Sequence, residues 1–446
     1  MDMTNSSAVV DSRCSVMFHP VSTDRASAGR VDGPGPGRPW SAVMNSREHD
    51  DYATEGMPPP LSPDSGDLKI TDGPAPGAGR SDDELLRRIA EWGIERRQWL
   101  VGFPVNLDFD YRPLADFLAV SLNNVGSPYT PSGYQMSTKP FERAVLDFFA
   151  GVAGAEPGEV EGYITNGGTE SNIFGVRLGI RRYPDAVFYA SADAHYSVDK
   201  FAALFSMDVT KVDVGADGGM DIEALADACR RHPGRPAVVL ATVGTTMTGA
   251  ADDVAAIRPA LRRAGVERLH LHVDGAFGGL IVPFIDGYGP WAFDAGADSV
   301  AVSGHKMIGL PVPSGIVLAR REQLEGVRHY LPQVDTDDHT LTGSRNGLNP
   351  LLIWWALRRL GRDGLAERAR HCLDIAEYAE RLLAAGGAEP RRCPHSVIVS
   401  FDRPSERVLR DWHLLDSGDR THFVAMPHIT RDHVERLCRD LGGARR

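Results

Sequence analysis

Short apolar runs rich in β-branched residues alternate with amphipathic stretches from about residue 160 onward. The runs lie at residues 162–165, 186–190, 237–241, 269–273, 299–302 and 315–318. Strands that alternate with helices in this way predict a mostly parallel sheet covered by helices on both faces, which is an α/β architecture. Beyond residue 350, two helical segments at 351–360 and 365–383 precede two predicted strands at 396–401 and 422–426. This order is typical of a smaller α+β domain at the C-terminal end.

The predicted domain organisation has four parts. Residues 1–80 are rich in Ser, Asp, Gly and Pro without sustained periodicity, so we expect them to be disordered, because they bury too little apolar surface to offset their conformational entropy. At Ser81 an N-cap and an acidic first turn precede apolar residues at helical spacing, which predicts an N-terminal helical segment over 81–145. A large domain over 146–325 and a small C-terminal domain over 326–446 follow.

The composition excludes several classes of partner. The chain has 60 Asp and Glu against 48 Lys and Arg, a formal net charge of −12, so we expect no nucleic acid and no anionic membrane as a partner. No apolar run approaches the length of a membrane span, and the N-terminus lacks a signal pattern. The five cysteines are scattered without a Cys-x-x-Cys pair, which predicts neither a disulfide framework nor a metal site. These features favour a cytoplasmic enzyme that acts on a small molecule.

Lys306 stands at the end of a predicted strand, in the run Ser303-Gly304-His305-Lys306. It is one of only five lysines, so arginine carries nearly all the positive charge of the chain. The carboxyl end of a buried strand is where α/β sheets bind ligands. Desolvation there lowers the pKa of a lysine and makes its amine a nucleophile able to form a Schiff base. The alternative is a lysine whose long side chain reaches water.

A glycine-rich turn follows the first predicted strand, in the sequence Thr165-Asn166-Gly167-Gly168-Thr169-Glu170. Glycines such as Gly168 let backbone N–H groups approach an anion, the N-terminus of the next helix adds positive potential, and Thr169 supplies a hydroxyl donor. The turn is neither a Gly-x-Gly-x-x-Gly nor a Walker A motif, so it predicts a phosphate site without indicating a nucleotide. A plain glycine-rich turn is the alternative.

Three further strand ends carry polar residues. His195 follows the second strand, where its imidazole could stack on a flat ring or hydrogen-bond a loop carbonyl. Thr245 and Thr246 follow the third, and Asp274 ends the fourth, where a buried carboxylate needs a cationic partner or an N-cap role. A phosphate site, a ring stacker, a carboxylate for a pyridinium nitrogen and a Schiff-base lysine are what pyridoxal 5′-phosphate chemistry requires. The five strand ends together therefore predict this cofactor.

Six motifs occur in a recognisable order between about Asn123 and Asp440: Thr165-Asn166-Gly167-Gly168-Thr169-Glu170, Ala194-His195-Tyr196-Ser197-Val198-Asp199-Lys200, His272-Val273-Asp274-Gly275-Ala276, Ser303-Gly304-His305-Lys306-Met307-Ile308-Gly309, Gly343-Ser344-Arg345-Asn346-Gly347 and Met426-Pro427-His428. In these motifs the chain resembles the group II pyridoxal phosphate-dependent decarboxylases of fold type I. It most resembles their bacterial histidine decarboxylase branch, with the related serine decarboxylases.

The resemblance implies a seven-stranded, mostly parallel sheet in the large domain and a role for each site residue. Lys306 would form the Schiff base with the cofactor, Asp274 would pair with the pyridine nitrogen, and His195 would stack on the ring. The residues implied to contact the phosphate are Gly168, Thr169, Ser303 and His305, and those implied to lie beside the ring are Thr246 and Ala276. The family is dimeric with its sites at the subunit interface, which implies a homodimer in which Ser344 reaches the phosphate from the partner chain.

The reaction implied by the resemblance is α-decarboxylation of an L-amino acid, with histidine the favoured substrate. A proton must then return to Cα, and His195, Tyr330 and Lys306 are the candidate donors. Two departures concern the substrate. The family usually reads Pro-Met-Pro-Cys-Gly where this chain has Pro311-Val312-Pro313-Ser314-Gly315, and it often has histidine where this chain has Leu348.

Three alternatives stay open on the sequence. Serine or an apolar amino acid is an alternative substrate, since Leu348 permits it. Decarboxylation-dependent oxidative deamination or a lyase step is alternative chemistry on the same scaffold. A non-catalytic binding or regulatory protein that has kept the fold is an alternative of another class.

Overall fold

The computed structural model of the chain describes residues 68, 70, 72, 73 and 80–443. The chain divides into two units, Met1–Ala78 and Gly79–Arg446, and every helix and strand named below lies in the second. The disorder expected for residues 1–80 falls almost entirely outside the described residues and stays a prediction.

The helices and strands alternate through the large domain. The α-helices of the described part are α1 (Arg80–Arg96), α2 (Lys139–Val152), α3 (Gly168–Arg182), α4 (Ser197–Leu204), α5 (Ile222–Arg230), α6 (Val254–Arg263), α7 (Arg321–Leu324), α8 (Leu348–Ala385), α9 (Glu406–Asp411) and α10 (Arg431–Gly443). The strands are β1 (Val160–Thr165), β2 (Val187–Ser191), β3 (Val209–Val212), β4 (Ala237–Thr242), β5 (Leu269–Asp274), β6 (Ser299–Ser303), β7 (Gly315–Arg320), β8 (His329–Leu331), β9 (Thr336–Asp338), β10 (Ile398–Asp402) and β11 (Arg420–Val424).

Seven strands form the central sheet in the order β1-β7-β6-β5-β4-β2-β3. Strands β2 to β6 pair in parallel, whereas β7 runs antiparallel to both of its neighbours, β1 and β6. The carboxyl ends of all strands except β7 therefore meet at one edge. The predicted seven-stranded, mostly parallel sheet is confirmed.

Both faces of the sheet are covered, as β4 shows. Ala237, Val239 and Ala241 belong to one buried apolar cluster, whereas Val238 and Leu240 belong to another. Successive side chains of a strand point to opposite faces, so two separate clusters require a helical layer on each side. This explains why β4 reads as a nearly continuous apolar run rather than as an alternating pattern.

Three short strands were not predicted from the sequence. Strand β3 is the edge strand of the sheet, has four residues including Lys211, and carries no apolar run. Strands β8 and β9 have three residues each and form a separate antiparallel pair. The six longer strands of the large domain lie within about two residues of their predicted positions, because burial dictates their composition.

The C-terminal part has the expected α+β composition. Strands β10 and β11 pair antiparallel, and helix α8 packs on both β10 and α10. Helix α8 is interrupted at Gly361, whose φ of 60° and ψ of −170° are not helical, which matches the break expected between residues 360 and 365. None of the described helices combines the length and apolar content needed to cross a bilayer.

Candidate active site

A cleft of about 380 Å³ lies at the carboxyl ends of β1, β2, β4, β5 and β6. Its volume falls within the range of roughly 300 to 1,000 Å³ that small-molecule sites occupy. Nine of the ten residues predicted to contact the cofactor line this cleft: Gly168, Thr169, His195, Thr246, Asp274, Ala276, Ser303, His305 and Lys306. The structure thus brings together side chains that are up to 138 residues apart in the sequence.

One end of the cleft is built as an anion site. Helix α3 begins with Gly168 and Thr169, so the free N–H groups of its first turn and the positive end of its dipole face the cleft. A Cβ at Gly168 would lie 2.8 Å from Oγ of Ser303, so glycine is what lets the turn approach β6. Glu170 fixes the turn, because its Oε2 accepts hydrogen bonds from the backbone N and from Nδ2 of Asn166, both at 2.9 Å.

His305 extends this anion site from the lysine loop. Its Nδ1 lies 2.9 Å from the carbonyl oxygen and 3.1 Å from the backbone N of Ser314, which leaves Nε2 for the cleft. Burial lowers the pKa of His305, and the charge of Lys306 lowers it further. The contact with the carbonyl oxygen needs a proton on Nδ1, whereas the contact with the backbone N needs Nδ1 unprotonated, and only the second tautomer carries a proton on Nε2 that can be donated to an anion.

The loop that carries Lys306 is held by a residue from a distant segment. The backbone N of Asn106 donates to the carbonyl oxygen of Lys306 at 3.1 Å. Nδ2 of Asn106 donates to the carbonyl oxygens of Met307 at 3.1 Å and Ile308 at 3.2 Å. Asn106 is buried, so these bonds are shielded from water. They fix the backbone from which the lysine projects.

The amine of Lys306 is poised as a nucleophile. Burial lowers the pKa of Lys306, and the negative charge of Asp274 only partly opposes this shift. Nζ lies 5.7 Å from the ring centroid of Phe277, and within the described chain Lys306 forms no salt bridge. A larger fraction of the amine is therefore unprotonated near neutral pH than for a lysine in water.

Asp274 ends β5 and is buried. Its Oδ2 accepts a hydrogen bond from Nδ2 of Asn172 at 2.8 Å, and its Oδ1 accepts one from the backbone N of Ala276 at 3.0 Å. A carboxylate with two fixed N–H donors keeps further lone pairs for a third donor in the cleft. It can therefore pair with a protonated ring nitrogen.

His195 precedes α4 and presents a neutral ring to the cleft. Its Nδ1 accepts a hydrogen bond from the backbone N of Ser197 at 3.2 Å. Because a backbone N–H can only donate, Nδ1 is unprotonated, and the neutral ring carries its proton on Nε2. Burial lowers the pKa of His195, the charge of Asp274 opposes the shift, and the charge of Lys306 adds to it. A neutral imidazole is suited to stacking on an aromatic cofactor.

The two threonines after β4 have different surroundings. Thr245 is buried, and its Oγ1 lies 2.8 Å from Oγ1 of Thr248 and accepts a hydrogen bond from the backbone N of Ala250 at 3.1 Å. Thr246 lines the cleft. Thr245 therefore stabilises the turn, whereas Thr246 is the one that can contact a ligand.

Comparison with known proteins decides the family. The model of the pyridoxal-dependent decarboxylase conserved domain matches residues 180–394. The chain is 38% identical over 350 residues to the histidine decarboxylase of Pseudomonas entomophila, a match that covers 78% of this chain and 87% of that protein. It is 37% identical over 368 residues to the histidine decarboxylase of Morganella morganii, covering 81% and 96%. The chain belongs to the pyridoxal-dependent decarboxylase family.

Solved structures confirm the fold of this decarboxylase. The L-methionine decarboxylase of Streptomyces sp. 590 matches with a TM-score of 0.75 at 26% identity, covering 86% of this chain and 98% of that chain. The glutamate decarboxylase of Lactobacillus brevis matches with a TM-score of 0.69 at 17% identity, covering 84% and 94%, which shows the fold alone. The predictions of fold type I, of the group II histidine decarboxylase-like branch and of a carboxy-lyase that uses pyridoxal 5′-phosphate are confirmed.

The cleft of the decarboxylase fits this cofactor on its own chemistry. The α3 N-terminus, Ser303 and His305 form a donor set for a phosphate, and the absence of a side chain at Gly168 leaves room for it. Asp274 offers an acceptor for a ring nitrogen, and Lys306 lines the same cleft with a depressed pKa. No group of three or more His, Cys, Asp or Glu that could hold a metal ion occurs among the described residues.

Ser344 and Tyr330 do not line the cleft of their own chain in the decarboxylase. Oγ of Ser344 accepts a hydrogen bond from Nδ2 of Asn123 at 3.1 Å in an exposed position. Tyr330 is 55% exposed, and its hydroxyl donates to Asp335 at 2.6 Å. Neither residue can serve the site of its own chain in this arrangement.

The two departures from the family pattern lie beside the cleft. Pro313, which matches the family pattern, lines it, whereas the changed residues Val312 and Ser314 do not. Val312 is 38% exposed, and Ser314 is buried against Gly304 with no described group hydrogen-bonded to its Oγ. Leu348 is half-buried at the first position of α8 and does not line the cleft. Within a single chain, none of the changed side chains contacts a ligand in the cleft.

Sequence reasoning assigned no role to Asn106 or Asn172. Asn172 lies two residues after the glycine-rich motif, where an amide on the buried face of α3 was the available signal. Asn106 offered no signal, because its contacts join segments about 200 residues apart.

Proposed function

We propose that this decarboxylase converts L-histidine to its amine and carbon dioxide. The assignment of histidine as the substrate rests on the relatives named histidine decarboxylase, which are 36–38% identical and align over 78–81% of this chain. The L-methionine decarboxylase matched by structure is less similar in sequence, at 26% identity.

The phosphate of the cofactor would bind at the N-terminus of α3. Gly168 and Thr169 supply N–H groups and a hydroxyl, and Ser303 and His305 donate from the opposite side. This assignment is supported by the missing Cβ at Gly168 and by the helix dipole. These four residues would anchor the cofactor through its phosphate.

The reactive end of the cofactor would lie between Lys306 and Asp274. When bound, the cofactor supplies an electron sink for the pair released as the Cα–carboxylate bond breaks. Lys306 would hold the cofactor through its amine, whose depressed pKa suits it to covalent attachment. Asp274 would accept a hydrogen bond from the protonated ring nitrogen, because its buried carboxylate keeps a free lone pair in the cleft. His195 and Ala276 would hold the ring plane from its two faces.

The proton that returns to Cα would come from His195 or Lys306. Both line the cleft, and the Nδ1 contact with Ser197 places the proton of the neutral His195 ring on Nε2. Lys306 would donate from its protonated amine. Tyr330 stays a candidate only if it reaches the cleft of a partner chain.

We also propose a homodimer with active sites at the subunit interface. Support comes from Ser344 and Tyr330, which are exposed and do not line the cleft of their own chain. The backbone beside Ser344 is held firmly, because Arg345 forms a buried ion pair with Glu142 and donates to the carbonyl oxygen of Gly126 at 2.8 Å. A polar side chain presented on a fixed loop suits a contact with a neighbouring subunit.

The substrate is tested by incubating the enzyme, loaded with cofactor, with single amino acids. We expect carbon dioxide and the imidazole-bearing amine from histidine, with kcat/KM about tenfold or more above that for serine or methionine. Lys306→Ala is the control and should form no amine. A preference for another amino acid would overturn the substrate and leave the family unchanged.

The alternative reaction consumes and releases different compounds, so it can be detected separately. Decarboxylation-dependent oxidative deamination would consume oxygen and release an aldehyde in place of the amine. Oxygen uptake and aldehyde are therefore measured in the same incubations. We expect neither to exceed the level seen with Lys306→Ala.

We propose a cytoplasmic location as well. The proposal is supported by the cysteines of the described part, which are free thiols, as a reducing compartment would keep them: Cys229, Cys372, Cys393 and Cys438. Fractionation of cells with antibody detection is the test, and recovery in a membrane or extracellular fraction would overturn it.

A further inference from the structure

A line of buried polar side chains runs from Asp274 into the layer between β5 and α3. Nδ2 of Asn172 donates to Oδ2 of Asp274 at 2.8 Å, and Oδ1 of Asn172 lies 2.9 Å from Nε2 of His272. Nδ1 of His272 lies 2.9 Å from Oγ of Ser299. His272 and Ser299 are fully buried, and Asn172 nearly so.

The line ends on a backbone carbonyl. Nε2 of His270, which is also fully buried, lies 2.9 Å from the carbonyl oxygen of Gly175 and 3.2 Å from Oγ of Ser299. A carbonyl oxygen can only accept, so Nε2 of His270 carries the proton and is shared between the two oxygens. Oγ of Ser299 therefore accepts a hydrogen bond from His270.

The donor and acceptor of each remaining hydrogen bond can be assigned as far as Asp274. At the other end of the line, Oδ1 of Asn172 can only accept, so the neutral ring of His272 carries its proton on Nε2 and donates to it. Nδ1 of His272 is then unprotonated and accepts the hydroxyl hydrogen of Ser299. The amide nitrogen of Asn172 is left to face Asp274, which must accept. Burial lowers the pKa of His272 to about 3, so the ring stays neutral in this orientation.

Two glycines of α3 make room for the imidazoles. A Cβ at Gly175 would lie 2.2 Å from the ring of His272, and a Cβ at Gly179 would lie 2.7 Å from the ring of His270. The two glycines are four residues apart, on one face of the helix. Glycine in a helix interior is less favourable than alanine, so the helix is less stable with this arrangement.

We propose that Asn172, His272 and Ser299 are positioning residues that keep Asp274 as a hydrogen-bond acceptor, so that the proton shared with the cofactor stays on the ring nitrogen. The proposal rests on the assignment of Asp274 to that nitrogen and is independent of which amino acid is the substrate. The line donates to one oxygen and the backbone N of Ala276 donates to the other, so protonation of the carboxyl group would oppose both donors.

The first test reads the cofactor-free protein by 15N spectroscopy of labelled histidine. The signal of His272 is identified by its loss in His272→Gln. We expect a neutral ring protonated at Nε2 that does not titrate between pH 5 and 9. A ring protonated at Nδ1, or one that titrates in this range, would overturn the proposal.

The second test compares cofactor affinity with the natural cofactor and with an analogue whose ring nitrogen is replaced by CH. For Asn172→Leu and for the milder Ser299→Ala, we expect the dissociation constant of the natural cofactor to rise about tenfold or more. We expect His272→Gln to stay within about threefold of the parent, because the glutamine amide restores the donor to Asn172.

The analogue distinguishes a positioning role of these residues from a general structural role. It lacks the nitrogen that Asp274 contacts, so the variants and the parent should bind it within about twofold of one another. His422→Leu is the matched control: His422 is buried, donates to the carbonyl oxygen of Gly102 at 3.1 Å, and lies in the small domain. It should lower the melting temperature without changing either affinity.

Equal losses with both cofactors would overturn the proposal, because they would indicate general damage to the cleft. If the parent itself binds the two cofactors equally well, the assignment of Asp274 to the ring nitrogen is wrong, which is a failure of the proposed function. The two failures are therefore distinguishable.

Discussion

Asn106 and Met307, 201 residues apart in the sequence, are joined by a hydrogen bond of 3.1 Å from the side-chain amide to the carbonyl oxygen. The same amide reaches the carbonyl oxygen of Ile308, and the backbone N of Asn106 reaches that of Lys306. The loop after β6 leaves the sheet and loses its ladder partners, so these three bonds replace them. The position of the Lys306 amine therefore depends on a segment that precedes the large domain.

Asn106→Ala is expected to lower the free energy of unfolding by about 2 to 4 kcal/mol, because two buried carbonyl oxygens lose their donor. It is also expected to weaken cofactor binding, since the backbone beneath Lys306 is no longer held. Denaturant unfolding and cofactor titration measure the two effects.

Asn124→Ala provides the control for this prediction. Asn124 is equally buried and hydrogen-bonds Glu142 and Thr138, but its side chain contacts no residue of the lysine loop. A comparable loss of stability with unchanged cofactor affinity is expected. If both variants weakened cofactor binding equally, Asn106 would have no specific role in positioning the lysine.

The depressed pKa of Lys306 predicts a pH-dependent stability difference in the cofactor-free protein. The unfolded chain binds a proton at this site up to about pH 10.4, whereas the folded chain releases it earlier, so stability rises with pH between the folded and unfolded pKa values. Lys306→Met lacks this titration. It is expected to be more stable than the parent at pH 7, by a margin that shrinks as the pH rises toward 10.

Denaturant unfolding at several pH values, with cofactor removed, measures this margin. Lys211→Met is the control, because Lys211 lies in a salt bridge with Asp199 at 2.8 Å and outside the cleft. Its stability relative to the parent is measured over the same pH range, to show the effect of removing a lysine outside the cleft. A margin for Lys306→Met that stayed constant from pH 7 to 10 would contradict a buried, easily deprotonated amine.

Substitution of His195 separates stacking from proton transfer. A flat aromatic ring on another is worth about 0.5 to 1.5 kcal/mol beyond the area that it buries, so His195→Ala is expected to weaken cofactor binding roughly three- to tenfold. His195→Phe keeps a flat ring and should retain most of the affinity. Fluorescence titration measures both constants. Equal weakening by the two variants would show that the imidazole binds the cofactor through its nitrogen atoms instead.

Most residues of the cleft could be predicted because each follows a strand at a short interval. Gly168, His195, Asp274 and Lys306 lie within a few residues of their strand ends, and parallel strands bring those ends to one edge. The chemistry of the residues and the topology of the sheet were therefore enough to place them together. The hydrogen bonds of Asn106 could not be predicted, because they depend on where a distant segment lies.

The fold was predictable where burial dictates the residue types. β4 is apolar up to its final threonine because helices cover both of its faces, whereas β3 lies at the edge, tolerates Lys211, and resembles a loop in sequence. The break in α8 was visible as a gap in the helical pattern near Gly361. Short edge strands leave no comparable trace, because half of their backbone faces solvent.

The exposed position of Ser344 makes the proposed dimer testable with hybrid molecules. A chain with Lys306→Ala lacks the amine, and a chain with Ser344→Asp would place a carboxylate against the phosphate of whichever site Ser344 serves. If Ser344 acts across the interface, a dimer of the two chains contains one site with an intact Lys306 and an intact Ser344 from the partner. Such a hybrid, isolated with two affinity tags, is expected to show roughly half of the parent activity, although each homodimer is inactive. An inactive hybrid would show that Ser344 serves its own chain, and an active monomer on sizing would remove the dimer from the proposal altogether.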